Sequence, residues 1–294
     1  LCDTSNLCGA LEFAEKISKA GTQPIIGTQI NFKFENTVGL LPLYALNDSG
    51  YKNIIELSSL SFLKNDQISD PHLDFNELLT KGEGIAIFSG TIHGLFGRLF
   101  DKGKFDEIED LYSKLKSKYK SSFYIEIQRH GDQNEVAFEK FNLNQSLNLE
   151  IPLIATNEVF YINQNMHEAH DALICIKNKT YVNEKNRIKF TDQHYLKNES
   201  EMTKLFVDLP EALENNRNFP YRCNFRPLFS KPILPNISSE KGGNADEILK
   251  KDSIEGLKEK FTKFFNFKNN EIEQNEKYLI YKDRLDHELE IIIK

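Results

Sequence analysis

The chain has 294 residues, 39% hydrophobic and 28% charged, a balance that supports a packed core and excludes global disorder. Its net charge of −7 and pI near 5.6 exclude a strong grip on the phosphate backbone by this chain alone. The length allows one large or two moderate domains.

The opening residues, Cys2-Asp3-Thr4-Ser5-Asn6, read as the exit of a strand. Residues 9–20 place Leu11, Ala14, Ile17 and Ala20 on one helical face, closed by Gly21. Alternating apolar residues predict strands at 24–34 and 40–46, the second ended by Asn47-Asp48-Ser49-Gly50. A helix follows over 51–63. Then come a strand at 84–88, helices at 93–100 and 105–119, a strand at 123–127, a helix at 134–147 and a buried-type strand at 151–155. Such alternation implies an α/β fold with mainly parallel strands, and suits a barrel or an open sheet equally well.

After residue 177 the chain turns polar, with short helices at 199–206 and 210–217. Pro232 and Pro235 mark a punctuated stretch ending near Gly243, and charged helices fill 245–266 and 275–294. A boundary near 229–240 is the natural cut. The first residue is Leu1 rather than Met, and the last helical pattern runs up to Lys294, so truncation at both ends is expected.

Cys2, Cys8, Cys175 and Cys223 show no zinc-ribbon spacing and read as free, mostly buried thiols of a reducing compartment. No apolar run approaches the ~20 residues of a membrane span. A cytoplasmic protein without a membrane partner is therefore expected. Gly-x-Ser-x-Gly is absent. The glycine-flanked Ser89-Gly90-Thr91-Ile92-His93-Gly94 lacks the lysine of a P-loop and reads as a tight βα turn. His167, Glu168 and His170 suggest ligands by type, but they sit at a helix start where polar residues are common.

Several stretches resemble one family in order and spacing along essentially the whole chain. They are Asp3-Thr4-Ser5-Asn6-Leu7-Cys8-Gly9, Pro24-Ile25-Ile26-Gly27, Asn47-Asp48-Ser49-Gly50-Tyr51-Lys52-Asn53 and Tyr124-Ile125-Glu126-Ile127-Gln128-Arg129-His130-Gly131. Leu57-Ser58-Ser59, Pro152-Leu153-Ile154-Ala155-Thr156-Asn157, His170-Asp171-Ala172-Leu173-Ile174-Cys175-Ile176, and Lys189-Phe190 leading to Tyr195-Leu196-Lys197 complete the set. The chain resembles the C-family of bacterial replicative DNA polymerases, the alpha subunits of DNA polymerase III.

The resemblance implies a PHP domain over residues 1–230, a distorted (β/α)7 barrel here lacking its first strand, and the start of the polymerase palm region over 231–294. It implies a parent DNA-directed DNA polymerase using Mg2+, with the palm carboxylates downstream of Lys294 and no catalytic residue in this segment. Primer-template DNA, deoxynucleotides, a proofreading exonuclease subunit and a sliding clamp are the partners it implies.

Some PHP domains hold a metal cluster that acts as a 3′–5′ nuclease. Carried over position by position, the family's ligands fall on Thr4, Gln29, Leu40, Thr91, Glu158 and Phe160, of which only Glu158 keeps a ligand. Imidazole replaced by Leu or Phe loses the donor nitrogen. The metal site is thus expected to be degenerate, with no metal or cofactor in this segment. Asp3, His93 and His130 remain as polar candidates near it, the histidines reading first as surface or hydrogen-bonded groups. A stand-alone PHP-type phosphoesterase or 3′–5′ exonuclease is the competing reading, and it requires intact ligands at positions 4, 29, 91 and 160.

Overall fold

Among the described residues, seven short strands build a single sheet: β1 (Cys2–Thr4), β2 (Gly27–Phe34), β3 (Thr37–Ala45), β4 (Leu73–Asp74), β5 (Ile85–Phe88), β6 (Phe123–Ile127) and β7 (Leu153–Ala155). The computed structural model describes residues 1–65, 70–232, 244–265, 272 and 274–294. The strand order is β1-β2-β3-β5-β6-β7, with β4 added to β2 at Phe32 and Lys33. The end strands β1 and β7 do not pair with each other, so the mixed α/β sheet is an open, barrel-like curl.

Parallel pairing joins β1 to β2, β2 to β4, β5 to β6 and β6 to β7, whereas β3 runs against both β2 and β5. The reason is local. Phe34 pairs with Thr37, so only Glu35 and Asn36 connect the two strands. A parallel return needs a crossover of a dozen residues or more, and two residues permit only a hairpin. Glu35 takes up the turn with φ +49°. This pairing also starts β3 at Thr37, ahead of the apolar run at 40–46.

Helices fill the connections: α1 (Ala10–Lys19), α2 (Asp48–Leu63), α3 (Phe75–Thr80), α4 (Leu95–Asp101), α5 (Phe105–Tyr119), α6 (Glu135–Leu149), α7 (His167–Asn178), α8 (Glu199–Leu205) and α9 (Pro210–Asn218). Asn47 caps α2 by accepting from the Gly50 N–H at 2.9 Å, and Asn198 with Glu201 forms a capping box on α8.

Strand periodicity sorts the side chains into two layers. Ile85, Ile87, Phe123, Ile125, Ile127, Leu153 and Ala155 face the helices, in a core shared with Leu57 of α2, Phe96 of α4 and Tyr112 of α5. The alternate residues Ala86, Phe88, Tyr124 and Ile154 face the other way and pack with Tyr44 and Phe219. Phe88 and Phe219 meet edge to face at 5.1 Å. The next inward position on β6 after Tyr124 is Glu126, so periodicity delivers a carboxylate to the inner face.

The edge strand β7 is covered by α9, whose Asn215 and Asn216 amides donate to the carbonyls of Leu153 and Ala155 at 2.8 and 2.9 Å. That satisfies acceptors an open edge would otherwise present.

Two compact units are distinguished, Leu1–Phe229 and Ser230–Lys294. In the second, α10 (Ala245–Phe265) and α11 (Glu276–Ile293) share a small cluster of Phe261, Ile272 and Tyr278. Most of the punctuated stretch expected between Pro232 and Gly243 lies outside the described residues. Among those described, no helix is long and apolar enough to cross a membrane. All four cysteines are free, with Cys175 and Cys223 buried, Cys2 half-buried and Cys8 exposed, so fewer thiols are buried than the sequence suggested.

Candidate functional site

On the inner face a cavity of about 630 Å3 opens where the strand ends converge. β1 contributes Cys2, Asp3 and Thr4, and Thr4 pairs in register with Gln29 of β2, which pairs in turn with Pro42 of β3. Thr91 follows β5 in a tight βα turn, in which the Gly94 N–H donates to the Thr91 carbonyl at 3.0 Å. Gln128 follows β6, and Thr156 to Phe160 follow β7.

Of the positions singled out from the sequence, Asp3, Thr4, Gln29, Thr91, Glu158 and Phe160 all line this cavity. Leu40 does not. It pairs with Asn31, one inward step further along β3, and Pro42 takes the lining position instead. His93 and His130 do not line the cavity either. They belong to a second polar cluster, described below. The triplet His167, Glu168 and His170 forms no common ligand set: the His167 Nε2 lies 3.0 Å from the Phe190 carbonyl, and His170 stacks on Phe160 at 5.0 Å.

The cavity floor holds a residue that motif reading passed over. Glu126 is only 5% exposed. Its Oε1 accepts from the Thr156 hydroxyl and from the Gln128 amide, the latter at 3.1 Å, and Gln128 also donates to Thr156 at 2.8 Å. Its Oε2 has no partner. Burial pushes the Glu126 carboxyl up to about 7, with the Glu158 charge adding to the shift. A glutamate inside an otherwise apolar strand, Phe123-Tyr124-Ile125-Glu126-Ile127, was the available signal.

The resemblance describes a PHP metal cluster at these strand ends and implies that it is degenerate here. None of the chain's seven histidines lines the cavity. Its carboxylates Asp3, Glu126 and Glu158 form no joint ligand set; among the described residues, the one group close enough to hold an ion is His130, Asp132 and His194. Phe160 instead stacks on His194 at 4.9 Å and on His170. A multinuclear centre requires convergent imidazole and carboxylate donors, and the cavity's residues do not fit one.

Beside the cavity, the segment 191–196 straps across 158–161. The Phe160 N–H donates to the His194 carbonyl at 2.9 Å, and the Leu196 N–H to the Tyr161 carbonyl at 3.0 Å. The strap lays His194 flat on His130, with ring centroids 3.9 Å apart and planes 3° from parallel. Asp132 lies 3.7 Å from His194 Nε2 and 3.6 Å from His93 Nε2. The imidazoles of His194 and then His93 hold the Asp132 carboxyl well below the usual range, and Asp132 raises His93. The sequence gives no local sign of this cluster, because His194 and Asp132 are far apart along the chain. Glu135 fixes the turn after β6 that carries His130 and Asp132, accepting from the N–H groups of His130 and Gly131 at 2.8 and 2.7 Å.

Residues 1–130 match the family model of the PHP domain. Over those residues the chain is similar to PHP domains. Over its length the chain is also similar to DNA polymerase III subunit alpha. It is 35% identical over 271 residues to that protein of Caulobacter vibrioides, covering 88% of the chain and 23% of the relative. Against that of Rickettsia conorii it is 36% identical over 297 residues, covering 99% of the chain and 25% of the relative. For Borreliella burgdorferi the figures are 33% over 307 residues, covering 100% and 26%. The chain thus spans about a quarter of the length of these curated relatives. The PHP match ends at residue 130, whereas the compact unit holding the cavity runs to Phe229.

Proposed function

We propose that this chain is a segment of the alpha subunit of a bacterial replicative DNA polymerase, and that its PHP domain serves as a scaffold and not as a nuclease. The alignment of 99% of the chain with DNA polymerase III subunit alpha supports the first part. The second rests on the cavity, where Thr4, Gln29, Thr91 and Phe160 stand at the family's ligand positions and no imidazole enters. The module is taken to extend through residue 230, with 231–294 beginning the palm region.

In this reading the whole protein extends a primer with deoxynucleotides, using Mg2+ held by carboxylates that are not among these residues. A separate exonuclease subunit proofreads, a sliding clamp tethers the assembly to DNA, and the protein works in the cytoplasm. The stand-alone phosphoesterase reading finds no ligand set in the cavity.

Two measurements test the proposal. The product of the complete reading frame should extend a primed template, and failure to do so would remove the polymerase assignment. The same protein, with its polymerase activity inactivated, should release no 3′ nucleotide in Mn2+ or Zn2+. Release that disappears on Glu158→Gln would overturn the scaffold role.

A further inference from the structure

We propose that Asp132 and His194, joined by His93, hold a single divalent transition-metal ion of the Zn2+ class at the rim of the sheet, outside the PHP cavity. No family ligand position takes part, and the inference does not depend on the polymerase reading.

Asp132 Oδ2 stands 3.7 Å from His194 Nε2 and 3.6 Å from His93 Nε2. Both separations are too long for hydrogen bonds. They do match two donors on either side of one ion, since metal–ligand bonds of about 2.0–2.2 Å place neighbouring donors roughly 3–4 Å apart.

The second observation concerns His194 itself. The ring is 1% exposed, and its Nδ1 lies 3.2 Å from the Glu158 carbonyl. A carbonyl only accepts, so Nδ1 carries the hydrogen and Nε2 of the neutral ring carries the lone pair. That Nε2 is buried without a partner and is directed at a carboxylate oxygen. In that tautomer two acceptors face each other in a buried place, which is unfavourable unless a proton or a metal cation lies between them. A backbone carbonyl orienting the far nitrogen of a histidine is also the usual support of a metal ligand.

His130 offers a ring nitrogen within 4.8 Å of the other two donors, but it acts as a buttress. Its Nε2 accepts the Glu158 N–H at 3.2 Å, and its Nδ1 faces Glu135 at 3.4 Å. Rings stacked 3° from parallel have lone pairs that run side by side and do not converge on one ion. The third ligand is His93 instead. Its ring nitrogen stands outside the 4.8 Å spacing that the other donors share, so the side chain, 56% exposed on the turn after β5, must swing toward the ion to bind it. Water completes the coordination. Two imidazoles and one carboxylate favour a borderline ion over Mg2+ or Ca2+, which prefer all-oxygen shells. The ion pins together the turn after β5, the turn after β6 and the strap at 191–196.

The test uses the intact chain, stripped with a chelator and titrated with Zn2+ by calorimetry and with Co2+ by visible absorption. One ion per chain is expected, with a Co2+ d–d spectrum of a nitrogen–oxygen site and a rise in melting temperature. Asp132→Asn and His93→Ala should each weaken binding by about tenfold or more, while His287→Ala, at an exposed histidine on α11, should leave it unchanged. His93 is a surface residue, so its variant keeps the test valid if buried substitutions fail to fold. A folded wild type that binds no Zn2+ overturns the proposal, because a proton then bridges Asp132 and His194. So does binding that is equally tight in His93→Ala and Asp132→Asn.

Discussion

A carboxylate buried without a full set of partners destabilises its own charged form, and Glu126 is in that position. Its ordinary value is 4.5 and burial lifts it to about 7. The folded state therefore holds the proton more tightly than the unfolded one between those values. Stability is then highest below the unfolded pKa and falls as pH rises through the folded pKa. The span corresponds to on the order of 3 kcal/mol at pH 8. Glu126→Gln keeps the shape and removes the charge, so it should match the wild type in urea unfolding at pH 5 and exceed it at pH 8. Parallel pH profiles for the two proteins would show that Glu126 is not shifted. Sequence reasoning reached the cavity but not this residue. Asp3, Thr4, Gln29, Thr91, Glu158 and Phe160 were placed by motif register, which fixes positions at strand ends. Glu126 was hidden because its role depends on which face of β6 turns inward. Leu40 was misplaced by one inward step, since only the pairing of Gln29 with Pro42 sets how far β3 slides past β2.

At the scale of elements, two helical glycines behave oppositely, and their surroundings decide the sign. Gly50 lies in the first turn of α2, where a Cβ would stand 1.8 Å from the Gly84 carbonyl oxygen. Alanine there should cost about 1–3 kcal/mol, because backbone must move to admit the methyl group. Gly256 lies in the interior of α10 with nothing within 4 Å of a built Cβ. Alanine there should stabilise the second unit by roughly 0.5–1 kcal/mol through helix propensity alone. Urea midpoints of the two variants check the pair, and a loss at Gly256 or a gain at Gly50 would contradict the packing described. The same contrast explains which elements could be read from sequence. α5 and β6 have the bounds their periodicity gave, 105–119 and 123–127, because each carries its own apolar pattern between clear stops. β4 and α3 were not foreseen, since a strand of two residues and a helix of six carry too short a pattern. The reversal of β3 is set by a two-residue hairpin and not by any feature of the strand.

For the molecule as a whole, charge makes the sharpest demand. A polymerase must hold an anionic duplex, and each phosphate neutralised by Lys or Arg contributes through release of counterions. With 37 basic against 44 acidic residues, this chain repels the duplex on balance. If it is a segment of a replicative polymerase, the grip on primer-template must come from other parts of the protein. Measured by fluorescence anisotropy at 0.15 M salt, the isolated chain should bind duplex DNA with a Kd weaker than about 100 µM, at or beyond the weak end of nonspecific binding. Affinity should rise only slightly at lower salt, since few phosphates are neutralised and the salt slope is correspondingly shallow. A micromolar Kd with a steep salt dependence would show instead that a concentrated basic face outweighs the net charge. In that case the scaffold reading would have to include direct DNA contact by this segment.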